Sequence, residues 1–482
     1  MCKTTLFLMI LALLFLPAAA ENTLPKHPRD LTYPAGTFTM PIAKDYRMVL
    51  PNGLVAYIVS DSTLPIIEMG ITLKTGSAAD PAGKAGLDQC TANALAYGGS
   101  TAMPGEAFTG RLDMLGAAMN VKARTAHTTI YLSGLSRDRD VLLGMFADVL
   151  ISPAFPEEIL AVVKANLAQQ AAQQAKSPRF VAETSFRRLL YGANHPMARA
   201  MSPAGVQALT RQDVSTYYRR MYTPKNAVLF IAGDFERAEL TQQLKSLFAD
   251  WRGDAPQRPD LALEKPAVAP GVYLLPMPVH QATILIGHAG VSDIASDLPA
   301  IQVMDFILGG GSFTSRIMSR VRSDEGLAYT AYAVFDHQGP WRGLFKAFTQ
   351  TKSASVPFAI QLILKEMESM RTSLPSAKEM DTAVNSIRDS EIGHFNTHCD
   401  TVEHFAYLEA LGLPADLSGR MRRGAQAVTA KDVQKMAQQY VHPEDLVILV
   451  VGDPDQVQAG DGVHPIGLKD FGTITQLPPF TL

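Results

Sequence analysis

Two stretches of the sequence repeat one pattern and decide the fold. ALTRQDV at 208–214 leads to VLFIAGD at 228–234, and AVTAKDV at 427–433 leads to VILVVGD at 447–453. The residues that match at one constant offset of 219 are Thr210 and Thr429, Asp213 and Asp432, Pro224 and Pro443, Gly233 and Gly452, and Asp234 and Asp453. Each copy predicts a helix that begins after a threonine cap, then a proline turn, then an apolar strand ending at Gly-Asp. The repeat therefore predicts two homologous domains.

Strand and helix patterns surround the repeat in both halves. The predicted strands are 54–59 and 66–72 in the first half and 272–275 and 282–288 in the second; the predicted helices are 141–150, 158–174, 300–308 and 356–369. Strand pairs that lead into helices, followed by one closing strand, predict an α+β fold with helices packed on a mainly antiparallel sheet. A polar, proline-rich stretch lies between the halves. We therefore assign 38–252 to the first domain, 253–270 to a linker and 271–482 to the second domain.

The overall composition argues against several classes of protein. Of 482 residues, 47% are hydrophobic and 18% are charged, which is typical of a globular chain. The net charge of −3 and the lack of a basic tract argue against a nucleic-acid partner. Three cysteines cannot build a disulfide scaffold, and we expect Cys90 and Cys399 to be buried thiols rather than a bridge.

The first twenty residues, MCKTTLFLMILALLFLPAAA, predict a secretory signal with cleavage after Ala20. An apolar run at 6–16 is shorter than the ~20 residues that a membrane-spanning helix needs. A retained membrane anchor is the alternative. We expect an exported protein, most simply in a bacterial periplasm, with an N-terminal extension at 21–37 and no membrane span after signal removal.

Three further stretches carry a resemblance to a known family. Residues 51–76, residues 86–97 and LGGGSFTSRIMSRVRSDEGLAYTAY at 308–332 resemble the pitrilysin/insulinase-type zinc peptidases. The resemblance extends over essentially the whole mature chain. It implies two tandem homologous α+β domains in a clamshell arrangement.

The same resemblance places the family's inverted zinc motif, His-x-x-Glu-His, on residues that lack zinc-binding groups. The two histidine positions fall on Gln89 and Asn93, and the glutamate position falls on Ala92. A third ligand, a glutamate in a later helix, falls on Gln169 or Gln170. Zinc takes imidazole, thiolate or carboxylate donors, and alanine cannot act as a general base. We expect no metal or other cofactor in this chain.

Active family members also carry an Arg and a Tyr seven residues apart, which reach the substrate from the second domain. Here those residues are Arg322 and Tyr329. The local pattern predicts a short helix at 315–323 and a turn at Gly326, with Tyr329 at the start of the next strand. A guanidinium and a phenol can both donate hydrogen bonds to a peptide carbonyl. In the alternative interpretation, Arg322 is a solvated helix charge and Tyr329 packs in the strand.

Retained donors and a lost metal site favour one functional hypothesis. The chain is predicted to be the Arg/Tyr-bearing subunit of an exported heterodimeric zinc peptidase, inactive alone, that holds a peptide carbonyl at the zinc of a homologous partner subunit. The second hypothesis is a non-catalytic scaffold, assembly or peptide-binding subunit, as the core subunits of a respiratory complex are within this superfamily.

Three other motifs are weaker candidates. His394 and His398, with Cys399 and His404 nearby, have a spacing that can chelate a metal, but Phe395 stands where zincins require glutamate, so we favour a packing role. The Gly-Gly-Gly-Ser run at 309–312 lacks the Lys-Ser/Thr pair of a phosphate cradle. Residues 120–125, NVKART, predict a strand beside 128–132. In the family the equivalent edge strand binds substrate backbone, whereas here we expect it to complete the sheet, with a peptide-binding edge as the alternative.

Overall fold

The computed structural model describes residues 38–258, 266–339 and 341–482, together with His27, Asp30, Leu31, Leu261 and Leu263. Met40–Leu482 form one compact unit. The predicted secretory signal lies outside the described residues, as do most of the N-terminal extension and part of the predicted linker. Within the described part of the chain, no helix combines the length and apolar character that a bilayer crossing requires.

The strands described by the structure form two six-stranded sheets. They are β1 (Arg47–Val49), β2 (Val55–Ser60), β3 (Ile66–Leu73), β4 (Ala118–Ala123), β5 (Thr128–Leu135), β6 (Ala227–Gly233), β7 (Gly271–Pro276), β8 (Gln281–Ala289), β9 (Ala331–Gln338), β10 (Trp341–Lys352), β11 (Val447–Gly452) and β12 (Ile474–Gln476). The strand orders are β1-β2-β6-β3-β5-β4 and β12-β7-β11-β8-β10-β9. The parallel pairs are β2 with β6, β7 with β11 and β7 with β12; the other neighbours are antiparallel. The predicted α+β fold with mainly antiparallel sheets is confirmed.

Helices connect the strands in both halves. They are α1 (Ala43–Tyr46), α2 (Leu87–Gly98), α3 (Glu106–Met114), α4 (Arg139–Ile151), α5 (Glu157–Gln174), α6 (Pro178–Tyr191), α7 (Pro203–Gln207), α8 (Arg211–Met221), α9 (Arg237–Leu247), α10 (Leu298–Asp305), α11 (Arg316–Met318), α12 (Val356–Thr372), α13 (Ala377–Ser390), α14 (His398–Leu411), α15 (Leu417–Ala427), α16 (Ala430–Tyr440) and α17 (Pro454–Ala459). Two π-helical segments, Phe306–Gly310 and Ser319–Asp324, extend α10 and α11.

The repeated motif builds the same unit in each domain. Thr210 caps α8 and Thr429 caps α16, each by accepting the backbone N–H of the aspartate three residues on, and that aspartate accepts the N–H of the cap in return. Each helix then leads through a 3-10 turn into β6 or β11, whose residues are all buried. β6 and β11 lie inside their sheets, next to β3 and β8 respectively. The repeat therefore supplies a central strand to each domain.

Two helices are exchanged between the domains. α6 of the first half packs on β8 and β11 of the second sheet, and α14 of the second half packs on β6 and β2 of the first sheet. The apolar cluster under α6 joins Phe186 and Leu190 to Leu285 and Leu449. Each sheet also has a separate core formed with the helices of its own domain. The two domains thus share packed apolar surface instead of being joined only through the linker.

Candidate functional site

The residues at the zinc-motif positions lie on two helices that pack together. α2 begins after Gly86, whose φ of 95° lies in the left-handed region, and it carries Gln89 and Asn93 half-buried and Ala92 fully buried. α5 packs against α2 and carries Gln169 and Gln170 in exposed positions. These side chains offer two amides from α2, two from α5 and one methyl group. The set lacks the imidazole and carboxylate donors that zinc binds well.

A buried polar network anchors the start of α2. Asp88 is completely buried and accepts hydrogen bonds from Thr128 Oγ1 and from Tyr217 Oη, the latter at 3.0 Å. Asp80 accepts the backbone N–H groups of Gly86 and Asp88, each at 2.7 Å. Burial raises the pKa of both carboxyls, that of Asp88 to about 6. Sequence reasoning missed this network, although an acidic residue between Leu87 and Gln89 on a mostly apolar helix was visible.

Arg322 and Tyr329 come together at the surface of the second domain. A helix covers 316–324, close to the predicted bounds, and Gly326 reverses the chain with φ of 63°. β9 begins at Ala331, so Tyr329 lies two residues before the strand and not at its start, which corrects the predicted placement. The Arg322 guanidinium carbon lies 4.5 Å from the centre of the Tyr329 ring. Arg322 Nη1 donates to the Tyr329 carbonyl oxygen at 3.2 Å.

Tyr329 is exposed and Arg322 is half-buried, and the ring of Phe313 lies beside them. Tyr329 is 79% exposed, so its phenol does not pack in the domain core. Phe313 is 62% exposed, and its ring centre lies 4.6 Å from the Arg322 guanidinium carbon. Sequence reasoning missed Phe313, because a single aromatic residue after a glycine run has no periodic pattern that distinguishes it.

The glycine run near this site serves close packing. A Cβ atom at Gly309 would lie 2.0 Å from the backbone nitrogen of Ala333 in β9. A Cβ atom at Gly311 would lie 2.7 Å from the Phe306 ring. The glycines therefore allow the π-helical segment Phe306–Gly310 to lie directly against β9, which explains the run without a bound phosphate.

The two histidines with metal-like spacing do not share a helix. His394 lies in a 3-10 helix, Glu391–Phe395, and its ring stacks on His404 with centres 4.4 Å apart. His398 is the first residue of α14, and its Nδ1 lies 2.8 Å from Asp61 Oδ2 of the first domain. Among the described residues, the one group of three or more His, Cys, Asp or Glu side chains with ligand atoms mutually within 4.8 Å is His442, Glu444 and Asp445.

Two further sequence predictions concern the thiols and the edge strand. Cys90 and Cys399 are free and buried, so the prediction of buried thiols is confirmed. The stretch predicted as a strand at 120–125 lies largely in β4, at the edge of the first sheet and paired to β5. Lys122 of β4 lies 3.8 Å from Glu403 of α14. The use of this edge by a peptide stays a prediction.

The fold and the site define a two-domain chain of the zinc-peptidase type whose metal-motif positions carry no strong zinc ligand. A family model described as Insulinase (Peptidase family M16) matches residues 55–196, and one described as Peptidase M16 inactive domain matches residues 208–387. The chain belongs to the M16 (insulinase) peptidase family, which confirms the resemblance stated above.

Curated relatives and solved structures agree with this assignment. A protein named non-peptidase homolog YmxG from Helicobacter pylori is 22% identical over 397 residues, covering 81% of this chain and 90% of its own length. An uncharacterized zinc protease of Streptomyces coelicolor is 23% identical over 357 residues, covering 72% of this chain and 76% of its own.

The structural neighbours share the fold. A peptidase M16 inactive domain from Pseudomonas fluorescens superposes with a TM-score of 0.76 at 23% identity, covering 84% of this chain and 97% of its own. A chain of Complex III2 from Candida albicans superposes with a TM-score of 0.68 at 15% identity, covering 84% of this chain and 95% of its own.

Proposed function

We propose that this chain is the non-zinc-binding, Arg/Tyr-bearing subunit of an exported heterodimeric zinc peptidase. The observation that carries the proposal is the contrast between the two parts of the site. Arg322 and Tyr329 are in contact at the surface of the second domain, with Arg322 half-buried and Tyr329 exposed, whereas the motif positions on α2 and α5 carry amides and a methyl group. The relative named a non-peptidase homologue supports a chain that has no peptidase activity alone.

In this proposal the two donors bind the carbonyl oxygen of the peptide bond to be cleaved. Arg322 donates a hydrogen bond from Nη1 to the Tyr329 carbonyl oxygen. Because a guanidinium has five N–H groups, its other N–H groups can donate to a substrate. The Tyr329 phenol adds a second donor from an exposed position. Donors held in place before the reaction stabilise charge as it develops on the oxygen. A zinc ion held by the partner would lower the pKa of its bound water, so that a hydroxide nucleophile would be available near neutral pH.

The partner is a homologous subunit with an intact His-x-x-Glu-His motif, and both chains are exported. The apolar run and small residues at 1–20 support export to a periplasm. A neighbouring gene that encodes an exported homologue with that motif would identify the partner.

A scaffold or assembly subunit is the second candidate. The structural likeness to a chain of Complex III2 supports it, because that chain belongs to a larger assembly. A scaffold would give Arg322 and Tyr329 no chemical task, so variants of these residues separate the two candidates.

The test is a peptide-cleavage assay on the chain purified together with its zinc-bearing partner. Arg322→Ala is expected to lower kcat about 100- to 1,000-fold, the usual loss of one donor to a developing oxyanion. Arg320→Ala is the matched control, since Arg320 lies on the same π-helical segment and pairs with Asp324 at 3.3 Å. Activity of Arg322→Ala within about twofold of the unchanged complex would show that Arg322 is not a donor in catalysis.

A further inference from the structure

The Arg322 guanidinium contacts two aromatic rings, those of Phe313 and Tyr329. The guanidinium carbon lies 4.6 Å from the Phe313 ring centre and 4.5 Å from the Tyr329 ring centre. An aromatic face attracts a cation electrostatically, and an arginine stacks on it with its plane aligned. Two such contacts restrict how the guanidinium can turn, and with it the directions of its N–H groups.

The backbone around Phe313 is held in an uncommon conformation. Ser312 has φ of 50°, a left-handed value that residues other than glycine seldom adopt. Thr314 Oγ1 donates to the Gly311 carbonyl and Ser315 Oγ donates to the Ser312 carbonyl, both at 2.8 Å. A conformation of this kind persists where the surroundings fix it. The segment places an aromatic side chain in solvent, where its apolar surface gains nothing from burial.

We propose that Phe313 is a positioning residue that, together with the Tyr329 ring, holds the Arg322 guanidinium in its orientation toward the ligand. The identity of the ligand that Arg322 binds rests on the proposed function. The orientation of the Arg322 guanidinium by the two rings is a property of this chain alone. The resemblance to the family gives a role to the arginine and the tyrosine only, and the structure adds the phenylalanine through its contact with the arginine. Phe313 itself donates no hydrogen bond, so its effect has to pass through Arg322.

The first experiment uses the isolated full chain and an arginine-specific dicarbonyl, phenylglyoxal, with the modified residues mapped by mass spectrometry. Phe313→Ala is expected to raise the modification rate at Arg322 about two- to fivefold, the range that an exposed cation–π contact accounts for. Phe313→Tyr keeps a ring and should leave the rate unchanged. Arg320 in the same digest is the internal reference, and Leu374→Ala is the matched control for loss of an exposed apolar side chain, since Leu374 is 51% exposed. An equal Arg322 rate in Phe313→Ala and the unchanged chain would overturn the proposal.

The second experiment uses the active complex and a double-mutant cycle. Phe313→Ala should lower kcat/KM about two- to fivefold, and Phe313→Tyr should restore it. The double variant Phe313→Ala/Arg322→Ala should be no worse than Arg322→Ala, because residues that act through one group are not additive. Additive losses would contradict the positioning role. A change in Arg322 reactivity without any cleavage by the complex would support the positioning role and contradict the proposed function. Cleavage that depends on Arg322 but not on Phe313 would support the proposed function and contradict the positioning role.

Discussion

Arg47 of the first domain forms a bidentate ion pair with Glu409 of the exchanged helix α14, with N–O distances of 2.9 and 2.8 Å. Tyr57 Oη donates to the same carboxylate at 2.6 Å. At the other end of α14, His398 lies beside Asp61 of the first domain. The exchanged helix is thus tied to the first sheet by polar contacts at both ends, in addition to the apolar packing of its face.

Loss of the Glu409 carboxylate should weaken this attachment. Glu409→Gln is expected to lower the free energy of unfolding by about 1 kcal/mol, because the pair is partly exposed and charge-assisted hydrogen bonds are screened there. Urea denaturation measures the change. Glu403→Gln is the control on the same helix, since the ion pair of Glu403 with Lys122 is longer, with an N–O distance of 3.8 Å. An equal loss in both variants would contradict the role assigned to Glu409.

The helix exchange predicts that a first-domain residue stabilises the second sheet. Phe186 on α6 is fully buried against the second sheet, so Phe186→Ala should cost about 3–5 kcal/mol and lower hydrogen-exchange protection in β8 and β11. Phe146→Ala is the matched control, because Phe146 is equally buried but belongs to the core of the first domain. That control should lower protection in the first sheet. Loss of protection confined to the first sheet in both variants would argue against the exchange.

Asp305 predicts a distinct pH dependence of stability. Burial raises its pKa to about 8, and its Oδ1 has no hydrogen-bond partner among the described residues. Between about pH 4 and pH 8 the folded protein keeps a proton that the unfolded chain, with an ordinary carboxyl pKa, has released. Stability attributable to Asp305 therefore falls as pH rises through that window, by at most about 1.4 kcal/mol for each pH unit.

The variant Asp305→Asn should remove this slope. Urea denaturation of both proteins at pH 5, 7 and 9 gives the difference between their free energies of unfolding at each pH. The contributions of the other titrating groups cancel in that difference. The stability of Asp305→Asn relative to the unchanged chain should increase with pH. A difference that is constant over this range would show that Asp305 is ionised in the folded protein.

Two half-buried histidines predict that stability falls in acid, the opposite of the trend for Asp305. His127 of the first domain and His404 of α14 line one cavity of about 500 Å³ between the domains. Burial lowers the pKa of His404 to about 3 and that of His127 to about 4. Since the unfolded chain binds these protons below about pH 6.5, stability should fall as pH drops from there toward 4. His404→Gln should reduce that loss relative to the unchanged chain; an unaltered acid profile would contradict the assignment.

The sequence predicted the parts of the fold that follow local rules. Thr210 and Thr429 cap their helices through neighbours three residues away, so the repeat was sufficient to place both units. The exchange of α6 and α14 was not predictable, because an amphipathic pattern shows that a helix has an apolar face but not which sheet covers it. At the site, Arg322 and Tyr329 were found through the family motif. Phe313 acts through spatial contact with Arg322, which no spacing rule encodes.

Metal binding gives the last prediction. The isolated chain, dialysed against zinc and then against a weak chelator, should retain far less than about one zinc ion per chain, since the amides at Gln89 and Asn93 are poor ligands. The variant Gln89→His/Asn93→His should retain more, because its two imidazoles lie one turn apart on α2. His442→Ala is the necessary control, since the exposed group that includes Glu444 could bind zinc at the surface. Stoichiometric zinc in the unchanged chain that survives His442→Ala would mean that this chain holds a metal site of its own.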